Sequence, residues 1–328
     1  MTTEHAPALD AIAAEFERQR GKVVRTPVLE WWGPARDALL GADTPVAFKL
    51  ELFQKTGTFK LRGALSVLES LDAESRRRGV VAASGGNHAI AVSFAARLAG
   101  VDAKVVIPDT ANPFRRRQCA AHGATIISAA TIHEAFETAE RIAREEGRAI
   151  VHPFEGYHTT LGTATLGHEL VEQVPDLDVV IVPVGGGGLC SGVAAAVRQR
   201  LPRCRVFGVE PEGADTMYRS FRAGAPVGIE KVATIADSLG APRALPYSFS
   251  VCRQYVEDIV LVSDQQLENA MKLLMEDVKL AVEPAGAAAT AAAVGPLSGM
   301  CRGKRVGIIV CGANIDSGTY SSLLLKAE

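Results

Sequence analysis

No sign of charge dominates this chain: 35 Lys and Arg stand against 37 Asp and Glu, a formal net charge of −2. That balance argues against a nucleic-acid partner or an anionic membrane surface. Cysteine is sparse and unpaired. The six cysteines are scattered without a Cys-x-x-Cys pair or metal-ligand spacing, so neither a disulfide framework nor a zinc site is indicated. Reduced thiols make the cytoplasm the expected setting. The N-terminal stretch lacks the apolar core of a signal peptide, and no uncharged apolar run is long enough to span a bilayer. The alanine-rich stretch 285–294 comes nearest, but it is short, built of small residues and preceded by Glu283-Pro284. It reads as a closely packed helix. Low-complexity segments and internal repeats are also missing.

What is present is an alternation of strand-like and helical runs. A chain of 328 residues can form two domains with sizeable cores. Residues 1–25 read as an entry helix, Thr26-Pro27-Val28 as a turn and 46–52 as a strand. Strand-like runs follow at 79–83, 103–108, 124–128 and 149–153, separated by helical spacing. A second series includes 179–184, 205–209 and 305–310. Such alternation predicts parallel βαβ units with right-handed crossovers. Two α/β units with a cleft between them is the natural architecture, with ligands at the carboxyl ends of the strands.

Three stretches carry chemistry. In Thr56-Gly57-Thr58-Phe59-Lys60-Leu61-Arg62-Gly63-Ala64, a lysine stands between a turn and a helical run, with Thr56 and Thr58 as candidate N-caps. The macrodipole disfavours a cation in a first turn, a placement that suits an amine that must lose its proton. Taken alone, the segment fits a solvated surface lysine better. The second stretch is an apolar strand followed by Gly185-Gly186-Gly187-Gly188-Leu189 and a helix starting near Ser191. Bare backbone N–H groups and a helix dipole make a cradle for phosphate, although glycines also permit close helix–strand packing. The third, Ser84-Gly85-Gly86-Asn87-His88, is a βα turn whose Ser84, Asn87 and N–H groups can hold a carboxylate or a phenolate-like oxygen.

Together these stretches resemble the pyridoxal-phosphate enzymes of the serine/threonine dehydratase and serine racemase type. Lys49-Leu50-Glu51, Thr234-Ile235-Ala236-Asp237, Glu283-Pro284 and Cys311-Gly312-Ala313-Asn314 extend the resemblance over nearly the whole chain. It implies the two-domain α/β architecture of fold type II, with parallel-rich sheets and the active site in the interdomain cleft. Residues 1–71 and 156–328 would form a large cofactor-binding domain and 72–155 a smaller inserted one. The chain ends soon after the last strand, so a C-terminal regulatory domain is not expected.

The resemblance also implies roles. Lys60 would link covalently to pyridoxal phosphate, Phe59 would pack beneath its ring, Asn87 would bond its phenolic oxygen, and Cys311 would face its ring nitrogen. Gly185 to Gly188, with Leu189, would hold the phosphate. Ser84, with Gly86 and Asn87, would take the substrate carboxylate, and His88 would support them. The expected reaction is β-elimination from a β-hydroxy L-amino acid of threonine or serine type, giving a 2-oxo acid and ammonia. Racemisation and β-replacement are the alternatives on the same fold. A homodimer is the expected assembly. Metal-dependent relatives use a Glu, a backbone carbonyl and an Asp. Here Glu210 and Ala214 match, Thr216 replaces the Asp, and a divalent metal is doubtful. The substrate-gripping Arg of racemase-like members aligns with Ala135, and Gly162-Thr163-Ala164-Thr165 replaces Gly-Gln-Gly-Thr.

Overall fold

The computed structural model describes residues 5–328. Ten strands form: β1 (Val28–Trp31), β2 (Val46–Leu50), β3 (Val80–Ala83), β4 (Ala103–Pro108), β5 (Thr125–Ala129), β6 (Ala149–Ile150), β7 (Val179–Pro183), β8 (Arg205–Pro211), β9 (Asp258–Val262) and β10 (Val306–Val310). They make two sheets. One has six strands in the order β1-β2-β10-β7-β8-β9, the other four in the order β5-β4-β3-β6. Among the described residues only β1 runs antiparallel, against β2. The parallel strands β2, β7 and β10 are buried at every position, as helices on both faces require. Ile308 sits opposite both Phe48 and Ile181, at the middle of the larger core. Smaller apolar clusters cover the four-stranded sheet.

The helix Pro284–Val294 is buried from Pro284 to Ala293 and packs against β7, β8 and β10, as its small residues allow. No helix among the described residues is long and apolar enough to cross a membrane.

Several elements differ from their sequence reading. The strand expected over 149–153 shortens to β6, because His152 turns its Nδ1 back onto the N–H groups of Phe154 and Glu155. The turn read at Thr26-Pro27-Val28 leads straight into β1, and β9 forms at a sheet edge that the sequence reading passed over. The entry helix is Leu9–Gln19; positions 1–4 lie outside the described residues. Thr56 and Thr58 do not cap the lysine helix. Phe59 occupies the N-cap position of Lys60–Ser70, Thr56 Oγ1 turns to the Thr58 carbonyl, and Thr58 Oγ1 has no partner among the described residues. The helix after the glycines starts at Gly188 rather than near Ser191, so its first turn lies inside the glycine run.

Candidate active site

The carboxyl ends of strands from both sheets converge on Lys60. A backbone bridge joins Thr58 to Gly312, and the Phe59 N–H donates to the Cys311 carbonyl at 3.1 Å. The end of β10 therefore pins the residue before the lysine. Lys60 Nζ donates to the Pro153 carbonyl at 2.6 Å and lies 5.0 Å from the centroid of the Phe59 ring. Around it lies a small cavity lined by Phe59, Ala64, His88, His152, Thr159 and Gly188. Loss of water around the amine lowers its pKa to about 8.

The lysine helix rests on a buried ionic group. Arg62, fully buried, donates through Nε and Nη2 to the two oxygens of Glu51 at 2.9 and 2.8 Å, and through Nη2 to Glu169 at 3.2 Å. Lys49 Nζ reaches the same Glu169 at 2.5 Å, together with the Thr26 carbonyl at 2.8 Å and Gln173 at 2.7 Å. Two cations and two carboxylates thus close on one another under the Lys60 helix.

Opposite Lys60, Gly185 to Gly188 leave β7 and enter the helix Gly188–Arg200. Gly187 has φ +93°, a conformation that favours glycine. A Cβ on Gly188 would lie 2.6 Å from the Phe154 Cα, and one on Gly186 would overlap the Phe154 ring. The loop is tied down by Thr163 Oγ1, which donates to the Gly188 carbonyl at 2.7 Å, and by Ser248 Oγ, which donates to the Gly186 carbonyl at 2.9 Å. Leu189 sends its side chain into the main core, so only its backbone serves the cradle.

Beyond β3, Ser84 Oγ accepts the Gly86 N–H at 3.1 Å. Asn87 is more heavily engaged than the sequence implied. Its Nδ2 donates to Glu283 at 2.6 Å and Ser238 at 3.0 Å, while its Oδ1 accepts from Asn314 at 2.9 Å. Its orientation is therefore set before any ligand arrives. His88 Nε2 lies 2.7 Å from the Val151 carbonyl. A carbonyl only accepts, so that nitrogen carries the proton. Burial, with Lys60 nearby, lowers the His88 pKa to about 3, which leaves it a neutral supporting group. Cys311 donates its thiol to the Ala285 carbonyl at 3.3 Å, and burial pushes its pKa well above the usual thiol range.

Sequence reasoning missed three side chains here. Glu283 is buried, its pKa raised by desolvation to about 7, with one oxygen on Asn87 and the other 3.6 Å from Arg115. Arg115, from the helix Pro113–Ala121, reaches Asp237 at 2.5 Å and the Asn314 carbonyl at 3.1 Å. Glu283 and Asp237 stood in quoted motifs without a role; Arg115, the first of three consecutive arginines, was passed over. Ala135 is fully buried against the four-stranded sheet.

The candidate metal ligands lie at and just beyond the end of β8. Both Glu210 oxygens accept backbone N–H groups, from Met217 at 2.9 Å and Tyr218 at 2.7 Å, at the start of the helix Thr216–Ala223. Burial raises the Glu210 pKa to about 8. Ala214 is buried in the short turn Glu212–Ala214, and Thr216 Oγ1 donates to the Ala241 carbonyl at 2.6 Å. Neighbouring Asp215, which the sequence reading passed over, pairs with Arg219 at 2.8 Å. Among the described residues no three His, Cys, Asp or Glu gather as a metal site.

Residues 20–312 match the family described as pyridoxal-phosphate dependent enzyme. The chain belongs to that family. It is 50% identical over 321 residues to the phenylserine dehydratase of Ralstonia pickettii, covering 98% of this chain and 97% of that one. It is 38% identical to the L-threonine ammonia-lyase of Thermotoga maritima, over 86% of this chain and 70% of that one. The structure of maize serine racemase superposes with a TM-score of 0.91 at 38% identity, covering 98% of each chain.

The residues present fit the family's cofactor. Pyridoxal phosphate needs a lysine, an anion site and a partner for its ring nitrogen, which Lys60, the Gly185–188 backbone and Cys311 would supply. Gly188→Ala should force the Phe154 backbone away from the cradle. Overpacking of this kind costs ~1–3 kcal/mol, so affinity for pyridoxal phosphate should fall roughly tenfold or more. Titration of the apoprotein, followed by near-visible absorbance, checks this; unchanged affinity would remove the glycine run from the cradle.

Proposed function

We propose that this pyridoxal-phosphate dependent enzyme is an ammonia-lyase that converts a β-hydroxy L-amino acid into a 2-oxo acid and ammonia. The observation that carries it is a desolvated lysine amine sharing one cavity with His88, which directly follows a Ser84–Asn87 loop whose second position, Gly85, has no side chain. Bound pyridoxal phosphate supplies the electron sink that makes the substrate Cα–H acidic. Phe59 would pack against the ring, the Gly185–188 N–H groups would hold the phosphate, and Asn87, giving up its longer bond to Ser238, would meet the phenolic oxygen. Ser84, with the N–H groups of Gly86 and Asn87, would receive the substrate carboxylate.

Once its amine is free, Lys60 Nζ takes the α-proton, a task suited to a pKa near 8. The β-hydroxyl departs with a proton as water, and later uptake of one water releases ammonia. The Cys311 thiol would stay neutral against the ring nitrogen. A neutral partner makes a weaker sink than a carboxylate partner would, which favours prompt loss of the β-substituent. The same reading assigns residues 1–71 and 156–328 to a cofactor-binding domain and 72–155 to an inserted one. In support, every strand of the four-stranded sheet lies between Val80 and Ile150. It also places the enzyme in the cytoplasm as a homodimer, in keeping with its six buried thiols and the family resemblance.

Relatives that include the serine racemase of Oryza sativa, at 40% identity, make racemisation the second reading. Racemisation needs an acid–base group on the face opposite Lys60. A Cβ at Gly85 would lie 3.2 Å from Pro108 Cγ, beside Ala111, so no polar group is supplied from this position. Elimination should therefore exceed racemisation by about two to four orders of magnitude. A screen of L-serine, L-threonine and 3-phenylserine, following 2-oxo acid, ammonia and D-isomer together, tests both readings. Release of 2-oxo acid without D-isomer supports the lyase; D-isomer formed as fast as 2-oxo acid refutes it.

A further inference from the structure

The segment between β6 and the helix Tyr157–Gln173 does more than accept a hydrogen bond from Lys60. It is fastened at both ends. His88 donates to the Val151 carbonyl at 2.7 Å. Glu155 accepts the N–H groups of Tyr247 and Ser248 at 2.7 and 3.0 Å. Between these anchors His152 accepts two backbone N–H groups at its Nδ1, from Phe154 at 3.3 Å and Glu155 at 3.0 Å, which fixes the imidazole plane. That plane is the middle of an aromatic row. The Phe154 ring meets it edge-on with centroids 4.6 Å apart, and the Phe136 ring lies 6.3 Å away at 32°.

All three rings are half-buried, so part of each ring is left uncovered by the core. The row borders the reactive centre: Pro153, between His152 and Phe154, holds the Lys60 amine, and His152 itself lines the lysine cavity. Phe136 follows Ala135, which is fully buried among Val81, Ala83 and Val106. The helix Ile132–Glu146 therefore presents an aromatic edge here and no cation from position 135.

We propose that the row Phe136, His152 and Phe154 receives the substituent on the substrate's β-carbon and selects an aryl group over a methyl or hydrogen. This rests on the ammonia-lyase reading. A β-carbon bonded to the carbon that loses its proton to Lys60 lies within a few bond lengths of the Pro153 carbonyl, which brings its substituent against the flanking rings. Aromatic pairs add attraction beyond their buried area, and a ring held by its neighbours needs no reordering when the substrate arrives. L-Serine and L-threonine would leave those ring faces uncovered.

The test compares kcat/KM for 3-phenylserine and L-threonine in the wild type, Phe154→Leu and Phe136→Ala, with cofactor occupancy followed by near-visible absorbance. Phe136 does not touch the glycine cradle, so its variant should retain cofactor. The ratio should favour 3-phenylserine in the wild type and fall about 10- to 100-fold in each variant, the range that one side chain commands in an apolar pocket. A ratio unchanged within about twofold in both variants, or a wild type that prefers L-threonine, would overturn the proposal. A binding arm separates this from failure of the lyase reading. L-Phenylalanine lacks a β-hydroxyl and cannot lose water, yet calorimetry should detect it binding the holoenzyme at least about tenfold tighter than L-alanine, and less so in Phe136→Ala. If no β-hydroxy amino acid is turned over but that difference holds, the lyase reading fails while the aromatic row stands. Equal binding of the two amino acids would sink the row.

Discussion

Lys60→Ala should abolish turnover, by roughly four or more orders of magnitude, because in the proposed mechanism one side chain supplies both the covalent link to the cofactor and the base at Cα. The near-visible absorbance of covalently held cofactor should vanish with it. The fold should survive. Lys60 pays a desolvation cost in the cleft, and its pKa falls from 10.5 to about 8. Between those two values the unfolded chain binds more protons, so the lysine weighs most heavily on the apoprotein below about pH 8 and progressively less toward pH 10.5. Apo Lys60→Ala should therefore melt no lower than the apo wild type at pH 7, and the gap should close as pH rises through that window. Single-turnover and steady-state assays, with melting curves at pH 7 and pH 10, check both parts. Multiple turnovers in the variant would remove Lys60 from the centre of the mechanism.

Arg62→Ala should be the costliest single change to stability. Glu51 and Glu169 are buried, and without the guanidinium they would share only Lys49. Breaking a buried ion group by removing one partner costs ~3–5 kcal/mol, because the remaining charge is left without compensation. Burial alone would raise the Glu51 pKa, but Arg62 beside it holds it below the usual carboxylate value. Its contribution is thus present above about pH 4.5 and lost as pH falls into the acid range. The denaturation midpoint of Arg62→Ala should drop at neutral pH and differ less from wild type in acid. Arg62→Lys should recover little, since an ammonium cannot bridge two carboxylates as the planar guanidinium does. Urea titrations at pH 7 and pH 3.5 settle this; a neutral midpoint within experimental error of wild type would sink the argument.

Much of the site was readable in one dimension because each part is local. The glycine run, the Ser84–Asn87 turn and the lysine segment are contiguous, and the apolar runs that became β4, β7 and β10 carry their burial in their composition. What escaped was long-range. Arg62 and Glu169 stand 107 residues apart, and nothing in either neighbourhood announces that both are buried. Arg115 belongs to a run of three arginines that looks solvated, yet folding carries it to Asp237 and Asn314. β9 was legible in its apolar, mostly β-branched run Ile259-Val260-Leu261-Val262 and was passed over. The Thr56 and Thr58 caps were misread because the backbone bridge to Gly312 fixes the helix entry instead.

The glycines between the central helices have a consequence for timing. A Cβ on Gly162 would meet the Arg62 carbonyl carbon and the Gly63 Cα at 2.7 Å, and one on Gly167 would meet the Val193 carbonyl oxygen at 2.8 Å. The lysine helix, the helix Tyr157–Gln173 and the cradle helix therefore touch backbone to backbone, with little side chain between them to flex. They form a single stiff block. The separation of the Lys60 backbone from the glycine run is therefore set once, when the chain folds. Alignment of reacting groups of this kind is worth a large effective concentration.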